Sequence, residues 1–158
     1  MVLKYKEKWG IIIEKGDFGM EKKITVVLCL DDEGGMTFFG KRQSRDRILI
    51  DELCESTAGE IYITDFSARL FEAHPGRARV SSDPISECPD GGTVFIENLP
   101  LLPHKKKIEN IILYKWNRLY PSDQKIDISF SDFEAVARKE FVGSSHDKIT
   151  KIRMRRKG

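Results

Sequence analysis

The residues best able to do chemistry crowd into one short stretch. Arg42-Gln43-Ser44-Arg45-Asp46-Arg47 sets one carboxylate among three guanidinium groups, just after the glycine-bearing run Gly34-Gly35-Met36 to Gly40. Asp46 is the catalytic candidate. A carboxylate there can accept a bidentate pair from an amidine-like or guanidine-like edge, and, if partly buried, can move a proton as acid or base. Arg42, Arg45 and Arg47 around a helix N-terminus can hold an anion. The plainer reading is a solvated charged corner in which Asp46 pairs with Arg42 or Arg45.

Two further clusters carry functional side chains. Trp116-Asn117-Arg118-Leu119-Tyr120-Pro121 supplies stacking faces and planar hydrogen-bonding groups suited to a nucleobase or pteridine. Equally, its aromatics can plug one end of the core. Ser144-Ser145-His146-Asp147 brings Ser, His and Asp together in sequence. Adjacency is not a triad, because the three groups must converge in space, and no G-x-S-x-G elbow accompanies them. The stretch reads as a turn, with His146 capping it or lining a cleft. His74 and His104 stand alone, so no metal site is expected.

The elements that position these groups follow from the apolar pattern. Ile24–Leu30 is a near-continuous apolar run, the mark of a central strand covered on both faces. A helix from about Ser44 to Ala58 follows, with Ser44 as its N-cap, Asp46 in its first turn and Gly59 after its end. Strands are expected at Glu60–Thr64, Arg77–Val80, Thr93–Ile96, Asn110–Trp116 and Lys148–Arg155, with Lys125–Ser129 extended. Asp65 caps a short helix over Phe66–Glu72. Ser81–Gly92 is a loop, Leu99–Lys107 a connection with one helical turn at most, and Asp132–Lys139 a helical turn or loose strand. The whole is an α/β protein: a three-layer mixed sheet, parallel at its centre, with antiparallel C-terminal strands.

Composition narrows the class. A chain of 158 residues with 40% apolar content can build one core of ordinary size. Residues 1–19 read as a loosely docked extension, with an edge strand from Trp9 to Glu14 as the alternative, and 20–158 as a single domain. Cys29, Cys54 and Cys88 lack metal or redox spacing and suit reduced thiols in a cytoplasmic protein. No apolar run is long enough to cross a membrane. The net charge of +2 names no partner, but Arg138 to Gly158 holds eight Lys or Arg against two acids. With Lys105-Lys106-Lys107, Trp116 and Tyr120, that stretch supports an alternative as an RNA-binding or protein-interaction module.

This order of parts resembles the dihydrofolate reductase fold over about residues 23–155. Ile24–Leu30, Gly35-Met36 to Gly40, and Ser44-Arg45-Asp46-Arg47 stand where that family has its first strand, its glycine loop and a helix whose early acid binds the pteridine. Thr57-Ala58-Gly59, Ile61–Leu70, Ile108–Lys115 and the closing segment Phe133 to Arg155 also match. The chain is similar, too, to a set of small uncharacterised proteins with Gly-Met-x-Phe, Arg-Gln-Ser-x-Asp-Arg, Trp-Asn-Arg-x-Tyr-Pro-x-Asp and Gly-Ser-Ser-His. The resemblance implies a small-molecule ligand, pteridine-like or nucleotide-like. Its expected binding residues are Met36, Arg42, Arg45, Arg47, Glu97, Trp116, Arg118, Tyr120 and His146. It also implies an NADPH-dependent reductase, but the family's phosphate-gripping Gly-Arg-x-Thr is replaced by Thr64-Asp65-Phe66-Ser67. Its Gly-Gly pair is replaced by Glu97-Asn98. A degenerate cofactor site is therefore the first expectation, with no cofactor bound, and active NADPH-dependent reduction is the alternative.

Overall fold

The computed structural model describes residues 22–158, together with the backbone of Lys6–Lys8 and Gly10–Ile11, which pair antiparallel. The remaining expectations for residues 1–19 lie outside the described residues. The main sheet is built from β1 (Ile24–Leu30), β4 (Ile61–Ile63), β5 (Ala78–Val80), β6 (Thr93–Phe95), β7 (Ile108–Lys115), β9 (Phe133–Phe141) and β10 (Ile149–Arg156). Its spatial order is β9-β10-β7-β1-β6-β4-β5. β1 pairs in parallel with both β6 and β7, whereas β10 joins β7 and β9 antiparallel. The centre is parallel and the C-terminal side antiparallel, as the alternation of helices and strands implied.

Both faces of β1 are covered, which is why its sequence is apolar but for Thr25. Ile24, Val26, Leu28 and Leu30 join Ile111, Leu113, Val94, Ile96 and Ile85 on one face. Val27 joins Leu49, Leu53, Ile61, Phe95 and Tyr114 on the other. This second cluster is roofed by α1 (Arg47–Ser56), whose buried residues Leu49, Ile50, Leu53 and Cys54 recur at helical spacing.

Several local expectations are corrected. The helix begins at Arg47, not near Ser44, because Asp46 and not Ser44 is the N-cap, accepting from Ile48 N and Leu49 N. The glycine stretch is a β-hairpin of β2 (Gly35–Phe38) and β3 (Lys41–Arg42), extended by β8 (Gln124–Lys125) into a three-stranded sheet. Thr37 Oγ1 donates to Gln124 Oε1 at 2.7 Å across it, a pairing between residues far apart in sequence. Of the expected 125–129 extension only Lys125 pairs as a strand, together with Gln124 before it. Asp65–Phe71 is a 3-10 helix that contains Asp65 and is capped without a side-chain bond by Thr64. One helical turn, α2 (Pro84–Glu87), interrupts the expected 81–92 loop where Asp83 caps it. Of the two alternatives for 132–139 the strand holds: Asp132 ends a 3-10 turn, Phe130–Asp132, and the rest lies in the nine-residue edge strand β9, whose residues after Phe133 are mostly exposed on both faces and so show no alternation.

The basic strand β10 is also less open than its alternation implies. Lys151 is buried, its Nζ donating to Glu52 Oε2 and Ser56 Oγ, both at 2.9 Å. Glu52 also accepts from Tyr114 OH at 2.5 Å and pairs with Lys139 at 2.9 Å. Burial would raise the Glu52 carboxyl, but these donors outweigh it and hold the group below its ordinary value. Arg156 turns inward to the carbonyl oxygens of Lys105 and Ile108, over the Phe133 ring. Arg155 reaches Glu134 at 3.9 Å.

Glu52 thus fastens α1 to the sheet. Glu52→Ala strands the buried Lys151 ammonium and is expected to cost about 3 kcal/mol in urea denaturation. The pair Glu52→Leu with Lys151→Met is expected to recover part of that loss, because the uncompensated charge is then gone although the buried Tyr114 OH loses its acceptor.

Candidate functional site

Parallel strands all end at one edge of a sheet, and α/β proteins bind ligands in the crevice beyond those carboxyl ends. In this chain that edge collects Asp31 after β1, Thr64-Asp65 after β4, Glu97 after β6 and Trp116 after β7. The chain leaving β1 passes through the β2–β3 hairpin and returns as α1, so the N-terminus of α1 opens onto the same edge.

Asp31 holds the start of this corner. Its Oδ1 accepts from Gly35 N at 2.7 Å and Glu33 N at 2.9 Å, and its Oδ2 accepts from Gln43 Nε2 at 3.0 Å and Tyr120 N at 3.2 Å. Burial would raise its pKa, but these donors lower it. Gly35 is required by close approach: a Cβ would lie 2.5 Å from Gln43 Nε2 and 2.8 Å from Ser122 Cβ.

Asp46 holds the centre. Its side chain is 0% exposed. Oδ1 accepts from Ile48 N at 3.0 Å, Leu49 N at 3.2 Å and Ser144 N at 2.8 Å. Oδ2 accepts from Ser145 N at 2.7 Å and faces His146 Nδ1 at 3.0 Å. Burial pushes this carboxyl up, but the amides of Ser144 and Ser145 and the imidazole outweigh it and bring the pKa to about 2. Every lone-pair direction of Asp46 is in use. The turn that delivers these amides is closed by Gly143 N donating to His146 O at 2.9 Å. A Cβ on Gly143 would overlap the Asp46 carboxylate, so glycine is needed there.

His146 is the other buried polar group. Its ring stacks on Trp116 at 4.5 Å between centroids and 22° between planes. Its Nε2 lies 2.9 Å from Tyr120 OH and 3.2 Å from Ser44 Oγ. Sequence reasoning placed Asp147 beside this histidine, whereas the carboxylate that meets it is Asp46, a hundred residues away in the chain.

Arg42 and Glu97 pair with each other. Arg42 Nε and Nη2 donate to the two Glu97 oxygens at 2.8 and 2.9 Å. Ser67 Oγ donates to Glu97 at 2.6 Å, and Arg42 also donates to Phe66 O and lies over the Phe66 ring. This bolt spans the ends of β3 and β6 and the 3-10 helix Asp65–Phe71.

Asp46, Glu97 and Trp116, with His146 behind them, surround a cavity of only about 20 Å³. Next to it, between α1 and the 3-10 helix, a cleft of about 360 Å³ is lined by Arg45, Arg47, Arg69, Leu70, Ser144 and Ser145, among others. Asp51 and Glu72 line it too, Asp51 facing His74 Nε2 at 2.7 Å. Met36 lies apart, packed in the core on the opposite face. Arg118 is exposed, and among the described residues only its carbonyl is engaged, by Asp32 N at 2.9 Å. Arg69, Ser44 and Gly143 also belong to this region: Arg69 carries no local signal, Ser44 reads from sequence only as a cap, and Gly143 only as part of a motif. Among the described residues no group of His, Cys, Asp and Glu could hold a metal ion, and no helix is long and apolar enough to cross a membrane.

The architecture is that of a dihydrofolate reductase-like α/β protein. Among 259 solved chains that match is dihydrofolate reductase from Enterococcus faecalis, complexed with NADP(H) and RAB-propyl. It superposes with a TM-score of 0.63 over 86% of this chain and 97% of that chain, at 13% identity. At that identity the likeness concerns the fold. No protein-family model matches the chain, and no curated protein matches it.

The depressed Asp46 pKa makes the corner sensitive to acid. A carboxylate titrates near 3.9 when unfolded and near 2 here, so its stabilisation is present above pH 4 and is lost as pH falls toward 2. Asp46→Asn is expected to lower stability at pH 6 by about 2 kcal/mol or more. Urea denaturation at pH 6 and pH 2.5 checks this: the gap between the two proteins should narrow at the lower pH.

Proposed function

We propose that this chain is a small-molecule-binding protein on the dihydrofolate reductase fold, with its reductase cofactor site lost. The ligand is planar and anionic, of nucleotide type. It is held in the cleft between α1 and the 3-10 helix Asp65–Phe71.

The observation that carries this reading is the contrast between the two spaces. A cavity of about 20 Å³ between Asp46, Glu97 and Trp116 has room for about one water, whereas sites for small organic ligands run to several hundred Å³. Asp46, whose place in the resembling family binds the pteridine, has no acceptor direction left for a ligand. The neighbouring cleft, at about 360 Å³, offers Arg45, Arg47 and Arg69 with the hydroxyls of Ser144 and Ser145 around an apolar floor of Ile50 and Leu70. Guanidinium and hydroxyl donors suit a phosphate, and the floor suits the face of a base.

The residues present do not fit NADPH. The turn that would receive a cofactor phosphate is a 3-10 helix with Asp65 in its first turn, a negative charge where phosphate needs donors. Glu97 stands where the backbone would have to lie bare, and its pair with Arg42 fills that end of the crevice. The RNA alternative is weakened because Lys151 and Arg156 of the basic strand are engaged within the chain.

Calorimetry tests the reading. Nucleoside mono- and diphosphates are expected to bind, uncharged nucleosides and pteridines to bind at least tenfold more weakly, and Arg69→Glu to abolish the preference. No binding of any nucleotide to the folded protein would overturn it. Dihydrofolate with NADPH is expected to show no loss of nicotinamide absorbance above background.

A further inference from the structure

Three groups at the α1 corner are aligned in a way that capping α1 does not by itself require. Ser44 Oγ is 3.2 Å from His146 Nε2, and His146 Nδ1 is 3.0 Å from Asp46 Oδ2. We propose that Ser44 is a nucleophile, His146 its general base and Asp46 the group that orients the base, and that this corner hydrolyses small carboxylic esters.

The tautomer follows from the network. Asp46 is ionised and already accepts four backbone amides, so it can only accept from the imidazole. The proton therefore sits on Nδ1, and Nε2 presents its lone pair to the two hydroxyls beside it, Ser44 and Tyr120. Stacking on Trp116 fixes the ring plane. This is the arrangement a serine nucleophile needs: a base within hydrogen-bond reach, itself held by a third group. The parts come from two separate stretches of chain, the approach to α1 with its N-cap and the turn after β9, about 100 residues apart, which is why adjacency in sequence did not reveal it.

Ser44 is half-buried and lines the cavity of about 20 Å³, with Cys29, Leu49, Phe95 and Trp116. That volume restricts the acyl group to one or two carbons. The cavity shares Arg45, Asp46, Ile50 and Leu70 with the larger cleft, which gives the alcohol portion a way out to solvent.

In the reaction, Nε2 takes the Ser44 proton as Oγ bonds to the acyl carbon. Collapse of the tetrahedral intermediate breaks the bond to the alcohol, which leaves with the proton from Nε2. Water then gives a proton to Nε2 and attacks the acyl carbon. The carbon–Oγ bond breaks, Oγ recovers its proton and the carboxylic acid departs. Tyr120 OH, at 2.9 Å, competes for the same lone pair and restrains the base.

Methanesulfonyl fluoride, whose one-carbon group suits a cavity of about 20 Å³, followed by intact-mass and peptide-mapping spectrometry, tests the array without calling on the arginine cleft. The wild-type chain should gain one adduct, on Ser44, and release a burst of nitrophenol from p-nitrophenyl acetate of one equivalent per chain. Ser44→Ala should do neither. His146→Gln should react at least about 100-fold more slowly, and Tyr120→Phe should react several-fold faster. Circular dichroism establishes that each variant is folded; if His146→Gln is not, Ser44→Ala and Tyr120→Phe still decide. No adduct on the folded wild-type chain, an adduct elsewhere, or an undiminished rate in folded His146→Gln overturns the proposal.

Discussion

The corner depends on one carboxylate that receives five donors. Asp46 caps the helix that roofs half the core, and the same two oxygens hold the Ser144–His146 turn, which arrives from the far end of the chain. α1 and the last hairpin are thereby fixed to each other through a buried anion. An ionised carboxylate buried without partners would cost several kcal/mol; here the amides and the imidazole replace the water it has lost. Moving any one partner leaves another polar group unmatched, so helix start, turn and imidazole form a single rigid unit.

That constraint determines what the fold can offer a ligand. Folds of this kind present a crevice beyond the carboxyl ends of their strands, but fold does not imply function. In this protein the crevice is filled from two sides. The Asp46 unit closes it near β1 and β7, and the Arg42–Glu97–Ser67 bolt closes it near β6. Both closures use charged groups that sequence alone presents as free to meet a ligand. Their mutual attraction consumes them. The cleft outside α1 stays open because its guanidinium groups lie on the surface of the helix start and the 3-10 helix, where no strand end approaches.

The parts of the fold legible in sequence were those with local causes. Ile24–Leu30 is legible because burial on both faces leaves a near-continuous apolar run, and α1 because its apolar stripe keeps helical spacing. What failed needed long-range partners. Ser44 and Asp46 are both good caps two residues apart, and the choice between them is made by amides about 100 residues away. Lys151 looks solvent-facing by alternation, yet its charge is met by Glu52 on a helix 99 residues earlier. The Gly34–Gly40 stretch has turn residues at both ends, so it reads as a loop until Gln124 supplies a neighbouring strand. Of the residues named for the site, Asp46, Trp116, Tyr120 and His146 do meet, Arg42 and Glu97 meet each other, and Met36 turns to the opposite core.

A polar plug is an expensive way to fill a corner. Buried ion pairs and their networks can often be replaced by well-packed apolar groups at no loss of stability. With Asp46 kept as the cap of α1, closure alone would be served as well by apolar side chains in place of His146 and Tyr120. The polar version adds directionality: the carboxylate fixes the proton on Nδ1, the indole fixes the ring plane, and one nitrogen lone pair is left facing two hydroxyls. An apolar plug has no counterpart to that lone pair. The chemistry of this corner therefore turns on Nε2, the one atom of the unit whose partner is a choice between two donors and is not dictated by the fold.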